Sequence, residues 1–227
     1  MKFGRRLMTA RSATVRAIRA IAYLRLVGKY RNFTMAPANA FWHNLLIVNA
    51  WRHVPGCVVE CGVWRGGASA GMAEVLGANR EYFLFDSFEG LPQAGDLDGE
   101  AAKAWQRDTQ SETYYDNCSA PIEFAERAMR LSGVSKYKIT KGWFDQTLPD
   151  FVPPSPIAVL RLDGDWYEST MTALESLYKY LARDGIVIVD DYYAWDGCSR
   201  AIHDFLSRNR LMARITQVHG ICVLQQG

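Results

Sequence analysis

Four aspartates stand in two pairs, each pair directly after an apolar run. PIAVLRLDGD (156–165) ends in Asp163 and Asp165, and GIVIVDD (185–191) ends in Asp190 and Asp191. The helical stretch between them, about 168–183, carries the chain back across a sheet. Both strands therefore run parallel and both acidic pairs emerge on one carboxyl edge. Carboxylates this close repel one another and are costly to bury unpaired, so a cation is expected among them. Neither motif contains lysine or histidine. A hard divalent cation with oxygen ligands fits best, Mg²⁺ keeping waters or substrate oxygens in its other positions. Softer metals would call for clustered thiolate and imidazole.

A second candidate is VVECGVWRGGAS (58–69), where a strand ending in Glu60 runs through Gly62, Gly66 and Gly67 into a helix. Glycines let a backbone approach a ligand closely, and a helix N-terminus offers free N–H groups to an anionic moiety. The spacing is not the dinucleotide GxGxxG, and Glu60 would repel a pyrophosphate, which speaks against a nicotinamide oxidoreductase. Glu60 is instead placed to accept a hydrogen bond from a ligand ammonium group. A third is Asp86 in FLFDSFEG, where a strand-end carboxylate can bind both hydroxyls of a ribose. Trp143, Trp166 and Trp195 stand at strand ends and suit stacking on adenine or a sugar ring, or plain core packing. Tyr114 and Tyr115 reach an acceptor or simply sit on a loop, and Arg200 suits an ion pair. His43, His53, His203 and His219 are scattered and read as packing or surface residues.

These residues need a parallel sheet to hold them. Runs at 56–62, 81–87, 136–142, 156–165 and 185–191 alternate with helical stretches at 67–79, 121–132, 168–183 and 197–209. Strands apolar on both faces that alternate with helices describe an α/β, mainly parallel, doubly wound sheet covered on both sides. QVHGICVLQQ (217–226) predicts one last strand near the sheet edge. The connection Leu91–Pro121 is too long and polar for an ordinary crossover and reads as a functional lid or mobile segment. Two helices precede the sheet, at 9–27 and 40–51, the first spacing Val15, Ile18, Ile21, Ala22 and Leu24 between arginines. Pro37 separates them.

A chain of 227 residues with 49% hydrophobic and 22% charged residues suits one large domain and excludes collagen-like and wholly disordered classes. No apolar run reaches the roughly 18 residues of a spanning helix. Residues 1–31 sustain no apolar signal-peptide core, and five cysteines without a CxxC pair suggest unpaired thiols in a reducing compartment. The net charge of +2 hides an asymmetry. Residues 1–59 hold ten bases and no acid, while the remaining 16 bases face all 24 acids, a formal −8. Such an arm suits nucleic acid, a membrane surface, a transit peptide, or docking on an acidic body.

From FTM (33–35) to the helix after DDYY, through ECGVWRGG, DSFEGLP, KGWFDQTLP, RLDGDWYEST and VDDYYAWDGCSRAIHDF, the chain resembles the macrocin O-methyltransferase (TylF-type) family. These relatives are S-adenosylmethionine- and Mg²⁺-dependent sugar O-methyltransferases. The resemblance implies a Rossmann-like class I methyltransferase fold over 54–227, preceded by a helical arm or lid at 1–53. It implies that Glu60 and Gly62 hold the methionine end of S-adenosylmethionine, Asp86 its ribose, and the stretch Gly142, Trp143 and Phe144 its adenine. Val63, Gly66, Ser69, Ser87 and Phe88 are implied as further cofactor-binding residues. Thr34 and Met35 would close over it. Asp163, Asp190 and Asp191 would ligate Mg²⁺, with Asp163 also near the cofactor, and Asp165 is similar in position to the residue proposed as general base.

The acceptor implied is a vicinal diol on a glycosylated small molecule, with a catechol-like ring as the alternative. A non-catalytic scaffold attached through its basic arm is the reading from another class. The resemblance further implies a cytoplasmic homo-oligomer without nucleic acid. The arm is then expected to fold over the acidic edge or pack on a neighbouring subunit, with peripheral membrane contact through 9–27 left open.

Overall fold

The computed structural model describes residues 18–226. Strands β1 (Cys57–Cys61), β2 (Tyr82–Asp86), β3 (Tyr137–Lys141), β4 (Ile157–Leu162) and β5 (Leu181–Val189) run parallel, and β6 (Ala213–Val218) and β7 (Ile221–Gln226) form an antiparallel hairpin on β5. Their order across the sheet is β3-β2-β1-β4-β5-β7-β6. The winding direction reverses between β1 and β4, which opens a crevice over the carboxyl ends of the central strands. Every residue of β1 and β4 is buried. Helices on both faces make this necessary, and it explains why these strands read as unbroken apolar runs.

The helices are α1 (18–30), α2 (Ala38–Ala50), α3 (Gly67–Leu76), α4 (Gly99–Arg107), α5 (Ile122–Ser132), α6 (Phe144–Thr147), α7 (Tyr167–Leu177) and α8 (Asp196–Arg208). Leu26 and Tyr30 of α1, Phe41 and Leu45 of α2, Met72 of α3 and Met129 of α5 share one core with Val58 and Val159. Met171 and Leu174 of α7 and Ile202 and Phe205 of α8 fill the other face with Val59 and Leu162.

Of the helix predicted at 9–27, residues 9–17 lie outside the described residues, as does the rest of the arm before Ile18. The basic residues of α1 dock on an acid of α3, while Thr34 and Met35 of the FTM segment reach the cavity over the sheet edge. Glu74 accepts hydrogen bonds from Arg25 (3.0 Å) and the Tyr30 hydroxyl (2.6 Å) and pairs with Lys29. Ile18, Ile21 and Leu24 stand on the outer side, 61%, 66% and 67% exposed.

Two expectations differ from the structure. The run at 217–226 is not a single strand. His219 (φ 54°) and Gly220 (φ 86°) take positive φ and turn the chain back, as a two-residue hairpin with right-handed strand twist requires. The edge is therefore β6, whose half-exposed alternation hid it. The helix expected to reach 183 ends at Leu177, followed by a 3₁₀ turn and then β5 from Leu181.

The 91–121 connection, read as a functional lid or mobile segment, holds secondary structure of its own and contributes Leu91, Pro92, Trp105 and Tyr115 to the cavity over the sheet edge. It carries α4 and is tied down by its own polar side chains. Asp98 Oδ1 accepts the Tyr167 N–H at 2.6 Å, at the start of α7, and its Oδ2 accepts the Gly95 N–H at 2.7 Å. Gln106 accepts from Ala94 N–H (2.8 Å) and donates to Pro92 O (2.8 Å) and Asn117 Oδ1 (3.0 Å). The segment's polar side chains thus bond within it and, through Asp98, to the start of α7.

Candidate active site

The glycine turn is shaped by what lies against it. Gly62 has φ 88°, and a Cβ there would stand 1.8 Å from the Asp163 carbonyl oxygen, so only glycine lets β1 and β4 close at this point. Gly66 has φ 82°, with the Ala125 backbone 2.8 Å from an added Cβ. Asp86 closes the same turn from the end of β2. Its Oδ2 accepts the N–H groups of Val63 (2.6 Å) and Trp64 (2.8 Å), and its Oδ1 that of Phe88 (2.6 Å). Burial raises the Asp86 carboxyl above its ordinary value, and the three N–H groups pull it back.

Glu60 and Arg161 are register partners across β1 and β4, so their side chains leave the sheet side by side. Arg161 is 3% exposed and Glu60 1%. The guanidinium reaches Glu60 Oε1 (2.7 Å), Asp163 Oδ2 (2.7 Å) and Asp190 Oδ1 (2.9 Å). The chain thus supplies part of the cation that the acidic edge requires, which corrects the expectation that none was at hand. The surviving signal was a charged residue inside a strand buried on both faces, where an unpaired charge is not tolerated. Asn44 of α2, which carries no sequence signal, donates to Asp190 Oδ1 at 3.2 Å. Glu60 has its second oxygen on the Ser69 hydroxyl. It therefore lies beneath the cavity floor instead of facing a ligand ammonium directly, and burial pushes its carboxyl up to about 7 against the pull of Arg161.

A cavity of about 840 Å³ opens over the carboxyl ends of β2, β1, β4 and β5. At the β2 and β3 end its wall includes Thr34, Met35, Val63, Asp86, Ser87, Trp143 and Phe144, with Gly62 between the halves. At the β4 and β5 end stand Asp163, Asp165, Asp190 and Asp191, facing Trp105, Tyr115 and Trp195. Gly66, Ser69, Phe88 and Gly142 are not on the wall. Gly66 packs on α5, the Phe88 ring is in the core, and Gly142 donates its N–H to Asp86 O at 2.9 Å. Of the two tyrosines expected to reach an acceptor from the long connection, Tyr115 is on the wall and Tyr114 is not, while Trp105 of α4 joins the wall without a sequence signal.

One carboxylate oxygen each from Asp163, Asp190 and Asp191 lies within 4.8 Å of the others. Arg161 and Asn44 engage one oxygen of Asp163 and one of Asp190, so each carboxylate keeps a second oxygen for another cation. An all-oxygen set of this charge suits Mg²⁺. Burial raises the Asp163, Asp165 and Asp191 carboxyls above the usual range; repulsion from neighbouring carboxylates, Asp190 among them for all three, adds to it, and Arg161 pulls Asp163 back. Asp165 stands apart from the three, accepting the Trp195 indole N–H on Oδ1 at 2.8 Å.

A seven-stranded sheet of this order with its site at the β1/β4 reversal is a class I methyltransferase fold. The solved O-methyltransferase NovP shares it with a TM-score of 0.69 and 30% identity, over 86% of this chain and 81% of that one. The calicheamicin methyltransferase CalS11 shares the fold at a TM-score of 0.63 and 21% identity over 92% of each chain. The chain belongs to the macrocin-O-methyltransferase (TylF) family, whose pattern matches residues 21–226.

Among characterised relatives, the 8-demethyl-8-(2,3-dimethoxy-alpha-L-rhamnosyl)-tetracenomycin-C 4'-O-methyltransferase of Streptomyces olivaceus is 39% identical over 74% of this chain and 64% of its own length. The demethyldecarbamoylnovobiocin O-methyltransferase of Streptomyces niveus is 35% identical over 69% of this chain and 60% of its own. The mycinamicin III 3''-O-methyltransferase of Micromonospora griseorubida is 32% identical, over 73% and 66%. The matched stretch is thus just under two thirds of each relative. Among the described residues, no helix is long and apolar enough to cross a membrane.

Proposed function

We propose that the chain transfers the methyl group of S-adenosylmethionine to a hydroxyl of a sugar carried on a small molecule, with Mg²⁺ at the acidic cluster. The observation that carries this reading is one cavity joining the Asp86-closed glycine turn to the carboxylates at the ends of β4 and β5. Its support in the comparisons is that relatives at 32–39% identity are named for O-methylation of natural products, one of them bearing a rhamnosyl group.

When bound, S-adenosylmethionine supplies an electrophilic methyl group, and Mg²⁺ supplies charge that favours the ionised form of an acceptor hydroxyl. The chain's own work is placement and proton removal. Asp86, Thr34, Met35, Trp143 and Phe144 line the half of the cavity assigned to the nucleoside, and the Gly62 turn lets the backbone approach it. Asp163, Asp190 and Asp191 would hold the cation, oriented from behind by Arg161 and Asn44. Asp165 Oδ2 accepts no hydrogen bond from the described residues and would take the acceptor's proton as the carbon–oxygen bond forms. In-line approach at about 3–3.5 Å is what this positioning provides.

The test is formation of S-adenosylhomocysteine from S-adenosylmethionine with 4-nitrophenyl α-L-rhamnopyranoside as acceptor. Turnover is expected with MgCl₂, to stop with EDTA, and to fall at least 100-fold in Asp165→Asn with cofactor affinity unchanged. Full activity in EDTA sinks the metal role, and full activity of Asp165→Asn sinks the base. The aromatic wall of Trp105, Tyr115 and Trp195 also suits a flat diol, so catechol run in the same assay separates the two acceptor classes.

A further inference from the structure

We propose that Trp195 is a positioning residue for the Asp165 carboxylate, and that the aromatic packing behind it links the 91–121 connection to the reacting hydroxyl. The proposal rests on Asp165 serving as the base. Asp165 sits at the centre of a three-residue turn with φ 56°, closed by the Trp166 N–H donating to Gly164 O at 2.6 Å. A residue with a side chain rarely adopts this backbone, and it persists only where its surroundings hold it.

Two contacts do so. The Asp165 N–H donates to Asp191 Oδ2 at 3.1 Å, and the Trp195 indole donates to Asp165 Oδ1 at 2.8 Å. Among the described residues no other group donates to this carboxylate. The indole therefore selects one rotamer and leaves Oδ2 for the acceptor.

Trp195 cannot swing away on its own. Its ring packs edge-on against Trp166 at 5.1 Å between centroids and against Trp105 at 5.9 Å. Trp166 is 1% exposed and anchors its own N–H on Pro92 O at 2.9 Å. Trp105, from α4, also packs on Trp166 (6.1 Å) and on Tyr114 (5.4 Å). The three indoles come from α4 and from the residues immediately preceding α7 and α8. They form one block that spans the long connection, the turn carrying Asp165, and the hydrogen bond to its carboxylate. A strand-end aspartate without such a donor would distribute over several staggered wells.

Trp195→Phe keeps most of the packing and removes the donor, while Trp195→His returns a ring N–H. With 4-nitrophenyl α-L-rhamnopyranoside as acceptor, Trp195→Phe is expected to lower kcat about 10- to 100-fold, the cost of a misplaced reacting group. KM for the acceptor and cofactor affinity should stay within about twofold, and Trp195→His should recover part of the loss. In the Asp165→Asn background, Trp195→Phe should cost nothing further, because its effect passes through the missing carboxylate.

A crystal structure of Trp195→Phe gives a readout independent of turnover, with the Asp165 carboxylate displaced or split. An unmoved carboxylate, an unchanged kcat, or a full additional loss in the double variant overturns the proposal. An Asp165→Asn enzyme at full rate overturns the base reading itself, whatever Trp195 does.

Discussion

Replacing Arg161 with methionine removes the guanidinium that sits among Glu60, Asp163 and Asp190 at 2.7, 2.7 and 2.9 Å. Methionine fills much of the same volume, so the change is mainly one of charge. Breaking a buried ion pair by deleting one partner costs about 3–5 kcal/mol, because the other charge is left behind unpaired. Here three carboxylates lose a partner, but Glu60 keeps the Ser69 hydroxyl and Asp190 keeps Asn44, which holds the loss within that range.

Against a total stability of about 5–15 kcal/mol this is a large fraction. At about 2–4 °C per kcal/mol for a domain of this size, Tm should fall by about 6–20 °C. Thermal unfolding followed by circular dichroism measures it. Arg161→Lys keeps the charge without the planar fork and should recover only part of the loss. Millimolar MgCl₂ should raise Tm of Arg161→Met more than that of the wild type, since the freed oxygens of Asp163 and Asp190 gain a cation. A Tm within about 2 °C of wild type would refute the idea that Arg161 balances the acidic edge.

Asp191→Ala should abolish any rise in Tm on adding MgCl₂ while S-adenosylmethionine binding, read by calorimetry, changes less than about threefold; a retained Mg²⁺ response would remove Asp191 from the ligand set. Asp98→Ala leaves the Tyr167 and Gly95 N–H groups unpaired and should destabilise by about 1–3 kcal/mol, with faster proteolysis between residues 91 and 121 as the specific sign. Glu74→Ala releases Arg25, Lys29 and Tyr30 together. Hydrogen exchange should then rise over residues 18–30 and stay unchanged in β1 and β4. Exchange over residues 18–30 unchanged from wild type in that variant would mean that α1 does not depend on Glu74.

Strands β1 and β4 were readable because a strand covered on both faces must be apolar throughout, while the edge strand β3 was legible from its β-branched centre and its place after a helical stretch. Elements that solve a local problem with polar groups were not. α4 lies in a polar stretch whose Gln106 bonds within the connection and whose Asp98 bonds both there and to Tyr167 of α7, so its composition looks like that of a solvated loop. β6 is an edge strand with alternating exposure, and its turn at His219–Gly220 broke no obvious pattern. Glu60 reads as a ligand residue because it stands two positions before the first glycine of the turn; Arg161, 101 residues away, is its neighbour across the sheet.

By itself the sequence determined the chemical inventory and its order along the chain: a glycine turn, a strand-end acid, and two acidic pairs flanking one crossover helix. Parallel strands then place all of these on one edge, because side chains at the carboxyl ends of such strands have nowhere else to emerge. Tertiary structure decided which groups face a ligand and which face each other. It turned Glu60 downward onto Ser69 and Arg161, brought Asn44 to Asp190, and set three indoles behind Asp165. Those pairings depend on strand register and on helices packing from distant segments, and no local pattern of residues encodes either.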